Sequence, residues 1–415
     1  MRRTIPRHLA SGKLRNHDVD RPAPRGLPAL PGRHRMTDEL VIANARVVAP
    51  DRDFVGAVRI RDGLIDDVSE GAGVPAGALD CGGDFLIPGL VELHTDNLER
   101  HLHPRPGVDW PRRAAVASHD AEFAAAGATT VLDALRIGAM GDQALNLYAL
   151  EAAQAARELR ELDLLRADHY IHLRCELTAP QLLDEYDAIA ADPRIRLISV
   201  MDHTPGQRQF EQIEKYVEYY QGKKGLTDDQ MTEWMAAARR RQQDHAVPNR
   251  AGLAARVAVG GFAVASHDDA NPAHVAESLE IGATIAEFPT TRAAALASRE
   301  AGLRVIMGAP NLLRGKSHSG NVSAGELAGE KLVDILSSDY APASLLLAAF
   351  KLAEDVEAYS LSEAIACVTR TPAEAVGLHD RGAIEIGRRA DLARVYHVER
   401  LCVVRGLWRE GRRVM

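Results

Sequence analysis

The sequence predicts an α/β protein: eight parallel strands with their helices form a TIM-like (β/α)8 barrel, and the two chain ends together build a small β-sandwich. Three observations predict it. Between residues 88 and 380, apolar strand-like runs alternate with helical stretches at the spacing of βα units. Short β-like runs punctuated by Gly and charged turns lie near both ends. Of the 415 residues 46% are hydrophobic but only 5% aromatic, so Ala, Leu, Val and Ile carry the core, as in buried parallel strands covered by helices.

Taken in order, residues 1–35 stand apart. They hold nine Arg or Lys against two Asp, five prolines from Pro6 to Pro31 and no apolar periodicity. They are expected to be a disordered basic tail, whose simplest origin is a start placed upstream of Met36. Residues 36–87 read as short strands, with Asp62-Gly63 as a hairpin turn. Residues 381–415 echo them and complete the sandwich. Residues 88–380 form the barrel, its strands at 90–94 (LVELH), 128–134 (ATTVLDA), 169–176 (HYIHLRCE), 196–203 (RLISVMDH), 262–268 (FAVASHD), 283–289 (ATIAEFP), 304–310 (RVIMGAP) and 333–339 (VDILSSD). Residues 205–260 form a long insertion.

A net charge of −8, from 50 Lys and Arg against 58 Asp and Glu, has the wrong sign for a protein that binds nucleic-acid backbones. No apolar run approaches the roughly 18 residues of a membrane span. Cys81, Cys175, Cys367 and Cys402 form no CxxC pair, which fits neither a disulfide framework nor a thiolate zinc site and implies a reducing, cytoplasmic location.

In a barrel of this type the chemistry lies at the carboxyl ends of the strands. Strand one ends in His94-Thr95-Asp96, strand three in Glu176, strand four in His203, strand five in His267-Asp268-Asp269 and strand eight in Asp339. Imidazole nitrogen and carboxylate oxygen converging on one mouth suit a divalent ion such as zinc, manganese or iron. Residues i and i+2 of a strand face the same side, so His94 and Asp96 can serve one ion together.

Longer motifs carry a resemblance: IPGLVELHTD, NLERHLHPRPGVDW, HLRCE, VMDHTPGQRQF, ASHDDA, MGAPNLLRGKSHSGN and LSSDYAP are similar to those of the phosphonate-metabolism branch of the amidohydrolase superfamily. These are diphosphatases of the carbon-phosphorus lyase pathway, acting on α-D-ribose 1-methylphosphonate 5-triphosphate. The resemblance runs from about Glu39 to the C-terminus. It implies a distorted (β/α)8 barrel with a β-sandwich from both ends, and one or two divalent ions held by His94, Asp96, Glu176, His203, His267 and Asp339. Asp339 would also take a proton from the attacking water. The superfamily usually places the two later histidines on strands five and six, so the strand count above is expected to have missed or merged one strand.

For the phosphates, Arg314, Lys316 and His318 are the first candidates, because Gly315 and Gly320 let backbone N–H groups approach an anion. Arg208, Arg105, Lys223 and Lys224 are further cations, and Asn97 and Glu99, which follow the first ligand pair, are expected either to touch substrate or to fix the orientation of the ligands. His101, His103, Asp268 and Asp269 read as loop or hydrogen-bonding residues, Arg239, Arg240 and Arg241 as a solvated helix face, and Trp110 as a loop pin or sugar platform. The expected function is diphosphate release by a metal-dependent hydrolase; the alternatives are a cyclic amide hydrolase or deaminase, and a silent scaffold. The expected partners are the small-molecule substrate, further copies of the chain and other enzymes of the pathway.

Overall fold

A computed structural model describes residues 39–138, 143–210, 213–317 and 320–415, without the side chains of 143–147, 210, 219, 223 and 224. The expected tail at 1–35, His318 and the side chains of Lys223 and Lys224 therefore lie outside the described residues.

The N-terminal strands are β1 (Leu40–Val48), β2 (Asp53–Arg61), β3 (Leu64–Glu70), β4 (Leu79–Asp80) and β5 (Phe85–Pro88). Asp62 and Gly63 join β2 to β3 with φ of 51° and 82°, the left-handed pair that a two-residue hairpin requires. The barrel strands follow: β6 (Leu90–Thr95), β7 (Ala128–Ile137), β8 (Asp168–Glu176), β9 (Ile195–Met201), β10 (Ala263–His267), β11 (Ile285–Glu287), β12 (Arg304–Gly308) and β13 (Ile335–Ser337). Last come β14 (Leu392–Val398), β15 (Leu401–Arg409) and β16 (Arg412–Arg413). The terminal strands form one mixed sheet in the order β16-β15-β14-β5-β1-β2-β3, with β4 on β1. Ile42, Val58, Ile60, Leu86, Leu392 and Trp408 make its core, so neither end could bury its apolar face without the other.

Strands β6 to β13 pair in sequence order, seven parallel neighbours in a row. The ring closes at its carboxyl end, where Thr95 bridges Asp339 and Asp96 N–H donates to Asp339 O at 3.0 Å. Buried Glu92 reinforces that seam by accepting the N–H of His94 and of Ser338, each at 2.7 Å. Lower down the edges part, and Val368 O and Cys367 O accept from Val91 N–H and Leu336 N–H instead. The barrel is therefore distorted at one seam. Its eight strands are all present, with His203 following the fourth and His267 ending the fifth, so no strand was missed or merged.

Alternation sorts the barrel residues. Leu93, Leu132, Tyr170, Leu197, Ala265, Ile285, Ile306 and Ile335, one from each strand, fill the interior. Residues of the opposite parity, such as Val131, Ile171, Val264 and Val305, pack outward on the helices. The insertion is helical, with Ile213–Lys224 and the 33-residue helix Asp228–Gly260, whose start is fixed by a capping box between Thr227 and Gln230. Arg239 and Arg240 are exposed on it, whereas Arg241 is half-buried, so the expected solvated face holds for two of the three. The four cysteines are unpaired, and among the described residues no helix is long and apolar enough to cross a membrane.

Candidate metal centre

Above the apolar layer the inward parity continues and its residue types change. Arg136 on β7, His172, Arg174 and Glu176 on β8, His203 beyond β9, His267 on β10, Glu287 on β11 and Asp339 beyond β13 follow Leu132, Tyr170, Leu197, Ala265, Ile285 and Ile335 at intervals of two. Most of them line one cavity of about 350 Å3 at the carboxyl end of the barrel. Asp268, Phe288 and Asp339 hold φ of 58°, 55° and 54° at its wall, a left-handed backbone that costs about 1–3 kcal/mol each and concentrates at functional sites.

Glu287 organises the histidines. His94 Nδ1 donates to its Oε1 and His267 Nδ1 to its Oε2, each at 2.7 Å. Burial pushes this carboxyl up, but His94, His172 and His267 around it hold it well below the usual carboxylate range. Burial also drives His267 down to about 3, leaving a neutral imidazole. With Nδ1 engaged, Nε2 is the nitrogen left for an ion in both rings.

Two donor groups result. His203, His267 and Asp268 bring ligand atoms within 4.8 Å of one another, and so do His94, Asp96 and Asp339. Glu176 adjoins the first: His203 Nδ1 donates to its Oε2 at 2.6 Å, Arg136 Nη2 to the same oxygen at 3.0 Å, and the Thr178 hydroxyl to Oε1 at 3.0 Å. Burial pushes Glu176 up, but His203 and Arg136 bring it to about 2. Burial raises Asp268 to about 8, although its Oδ2 lies 3.2 Å from His267 Nε2. Imidazole nitrogens and carboxylate oxygens, without thiolate, fit a divalent ion.

A further group, His119, Asp133 and His169, lies beside the helix Arg112–Ala125 and needs no ion. Asp133 accepts from His119 Nε2 at 2.8 Å and His169 Nδ1 at 2.9 Å, while Asp120 stands 3.4 Å from His169 Nε2.

The residues expected to bind phosphate divide. Exposed Arg314 ends the helix Ala309–Arg314 and lines the cavity, with Ser317 and Asn321 nearby. Lys316 is exposed but does not line it. Three others do not line the cavity. Asn97 is buried and donates Nδ2–H to Glu122 Oε2 at 2.9 Å, because the helix Asn97–Leu102 turns it away from the cavity. Arg105 bridges Val108 in an exposed loop away from the cavity. Arg208 is buried against Asp269, 61 residues on, and its guanidinium braces the loop after β10 rather than facing the cavity. His101 and His103 pair with Glu122 and Asp109, and Trp110 is half-exposed. Glu99 lines the cavity.

Arg136, His172, Arg174 and Glu287 were not foreseen. Alternation along HYIHLRCE was the available signal for two of them, because His172 and Arg174 share the parity of Glu176.

Residues 112–400 match the amidohydrolase family. Over 381 residues, 90% of this chain and 100% of the relative, the chain is 47% identical to the α-D-ribose 1-methylphosphonate 5-triphosphate diphosphatase of Escherichia coli strain K12. Among solved structures it is similar to a 5-methylcytosine deaminase from Klebsiella pneumoniae liganded with phosphonocytosine, with a TM-score of 0.60 and 16% identity over 91% of this chain and 98% of that one. An N-isopropylammelide isopropylaminohydrolase from Burkholderia multivorans gives 0.59 and 19%, with the same coverage of 91% and 98%. An N-acetyl-D-glucosamine-6-phosphate deacetylase from Mycobacterium smegmatis gives 0.58 and 18% over 91% and 100%. These structural likenesses concern the fold alone.

Proposed function

The chain belongs to the amidohydrolase family, and from that premise we propose that it is a metal-dependent diphosphatase acting on α-D-ribose 1-methylphosphonate 5-triphosphate, the substrate in the name of its 47% identical relative. The products are diphosphate and α-D-ribose 1-methylphosphonate 5-phosphate. The observation that carries this reading is the meeting, in one cavity, of two metal-donor groups with the guanidinium groups of Arg136, Arg174 and Arg314. A polyphosphate needs such charge around the transferred group, and a neutral cyclic amide does not.

His203 and His267, with Glu176, Asp268, His94 and Asp339 around them, would hold the ion, with zinc our first choice and manganese the second. When bound, the ion supplies Lewis-acid polarisation of a phosphoryl oxygen and lowers the pKa of water. The chain's own residues do the rest. Asp339 accepts a proton from the attacking water, whose oxygen bonds to the α-phosphorus while the bond from that phosphorus to the α,β-bridging oxygen breaks. Diphosphate leaves with that oxygen. Arg314 meets the phosphates at the mouth, and Arg136 holds Glu176 in place from the wall. The apolar wall of Phe288, Met307 and Val322 limits water and strengthens these charges.

The test is diphosphate release from the triphosphate by purified protein, before chelation, after it, and after zinc or manganese is returned. We expect release that stops with chelator and resumes with metal. No release from protein that carries metal would transfer the substrate assignment to cyclic amides.

A further inference from the structure

We infer that the guanidinium of Arg174 is the second cation of this centre, so that the protein takes one divalent ion beside His203 and His267 rather than two. The inference rests on the metal-dependent reading above and concerns how many ions that reading requires.

The two donor groups meet at Arg174. Its Nη1 donates to both carboxylate oxygens of Asp96, at 2.7 and 3.0 Å, and its Nη2 lies 3.5 Å from His267 Nε2. One positive group thus reaches a member of each donor set. Asp96 carries the oxygens that an ion between His94 and Asp339 would need. Arg174 is held there by the fold: it leaves β8 on the same inward face as Glu176, two residues on, and its side chain is only 11% exposed. A guanidinium keeps its charge at every pH a protein survives and cannot be neutralised to make room. A second dication at Asp96 would therefore lie against a fixed positive charge at hydrogen-bond distance from its own ligand.

Function is preserved by the exchange. In a two-metal centre the second ion clamps the oxygens of the transferred phosphoryl group. A planar guanidinium offers charge and paired N–H donors to the same kind of oxygen, and Arg174 lines the cavity where they would sit. Asp96 then acts as a positioning residue that aims the guanidinium, and is not an ion ligand.

The test counts ions. Wild-type protein, Arg174→Met, Arg174→Lys and Asp96→Asn are loaded with excess manganese, passed through a desalting column, checked for folding by circular dichroism and analysed for manganese per chain. Electron paramagnetic resonance then reports whether manganese spins are coupled. We expect one uncoupled ion in the wild type, one in Arg174→Lys, and two coupled ions in Arg174→Met. Asp96→Asn should keep its single ion with unchanged affinity. Two ions in the wild type, or loss of the ion from folded Asp96→Asn, would overturn the inference and leave the metal-dependent reading standing. Arg174→Met that folds and still holds one ion would also overturn it. Wild type that binds no ion overturns both together. Should Arg174→Met not fold, the wild-type count and Asp96→Asn decide the matter.

Discussion

Glu287 Oε1 accepts a 2.7 Å hydrogen bond from His94 Nδ1 across the barrel, from the sixth strand to the first, with both groups buried. The other oxygen holds His267 in the same way. One carboxylate thereby sets the tautomer of a histidine in each donor group. Carboxylates of this kind orient ligating imidazoles and raise their basicity.

Glu287→Gln keeps the shape but offers one acceptor instead of two. We expect metal affinity to fall about 10- to 100-fold, as for other partners behind ligating histidines. Competition with a chromophoric chelator measures it. An unchanged affinity would show that the two rings are oriented by something else.

Asp339 sits at the barrel seam with a left-handed backbone, its N–H donating to His94 O at 3.2 Å. Asn fits the same backbone and keeps the side chain's shape, but it cannot accept a proton at working pH. Asp339→Asn should retain the ion and lose about 10²–10⁴ in kcat. Steady-state diphosphate release with parallel metal analysis tests this, and near-normal turnover would remove Asp339 from the proton-accepting role.

Arg314 is exposed at the rim, so its loss should leave the fold and the ion alone. A charge-assisted hydrogen bond to phosphate contributes roughly 1.5–3 kcal/mol, which makes the expected fall in kcat/KM for Arg314→Met about 10- to 100-fold. A kcat/KM that does not change would place the phosphates elsewhere in the cavity.

What the sequence made legible follows a physical division. The barrel strands could be read because each is a continuous apolar run, and the residues that end them are polar where a core residue would otherwise stand. His94, Asp96, Glu176, His203, His267 and Asp339 were visible for that reason. Glu287 was not, because ATIAEFP reads as a buried strand with one stray carboxylate and its partners lie 193 and 20 residues away. Arg174 is less legible because it stands inside β8, two residues before the polar end Glu176. Asn97, Arg105 and Arg208 stand close along the chain to the residues that gather at the cavity, which is what makes them look like substrate contacts. A helix start, an exposed loop and a distant Asp269 give them other surroundings.

Arg208 shows the consequence of that difference. Its side chain is 6% exposed and that of Asp269 1%, so each is a buried charge that depends on the other. Removing one partner of such a pair typically costs about 3–5 kcal/mol. Arg208→Ala should therefore lower the urea midpoint substantially, with loss of activity following loss of folded protein. A stable variant with only a raised KM would return Arg208 to the substrate.

The group on the helix side of the barrel gives the fold its own pH dependence. Burial opposes the charge on His169, but Asp133 and Asp120 raise its pKa to about 10. The unfolded chain has an ordinary value near 6.5. A raised folded pKa stabilises fully below the unfolded value, and the contribution is lost as pH climbs through the folded one. His169 should therefore make stability decline between about pH 6.5 and 10. Asp133 has the opposite sign: burial opposes its charge, but His169 and His119 hold its carboxyl down, so its contribution fades only on acidification and leaves the alkaline window to His169. Urea midpoints at pH 7, 8.5 and 10 should fall in the wild type. They should fall less steeply in His169→Asn, which is less stable at pH 7 but has no imidazolium to lose; equal slopes would mean that His169 is neutral in the folded protein.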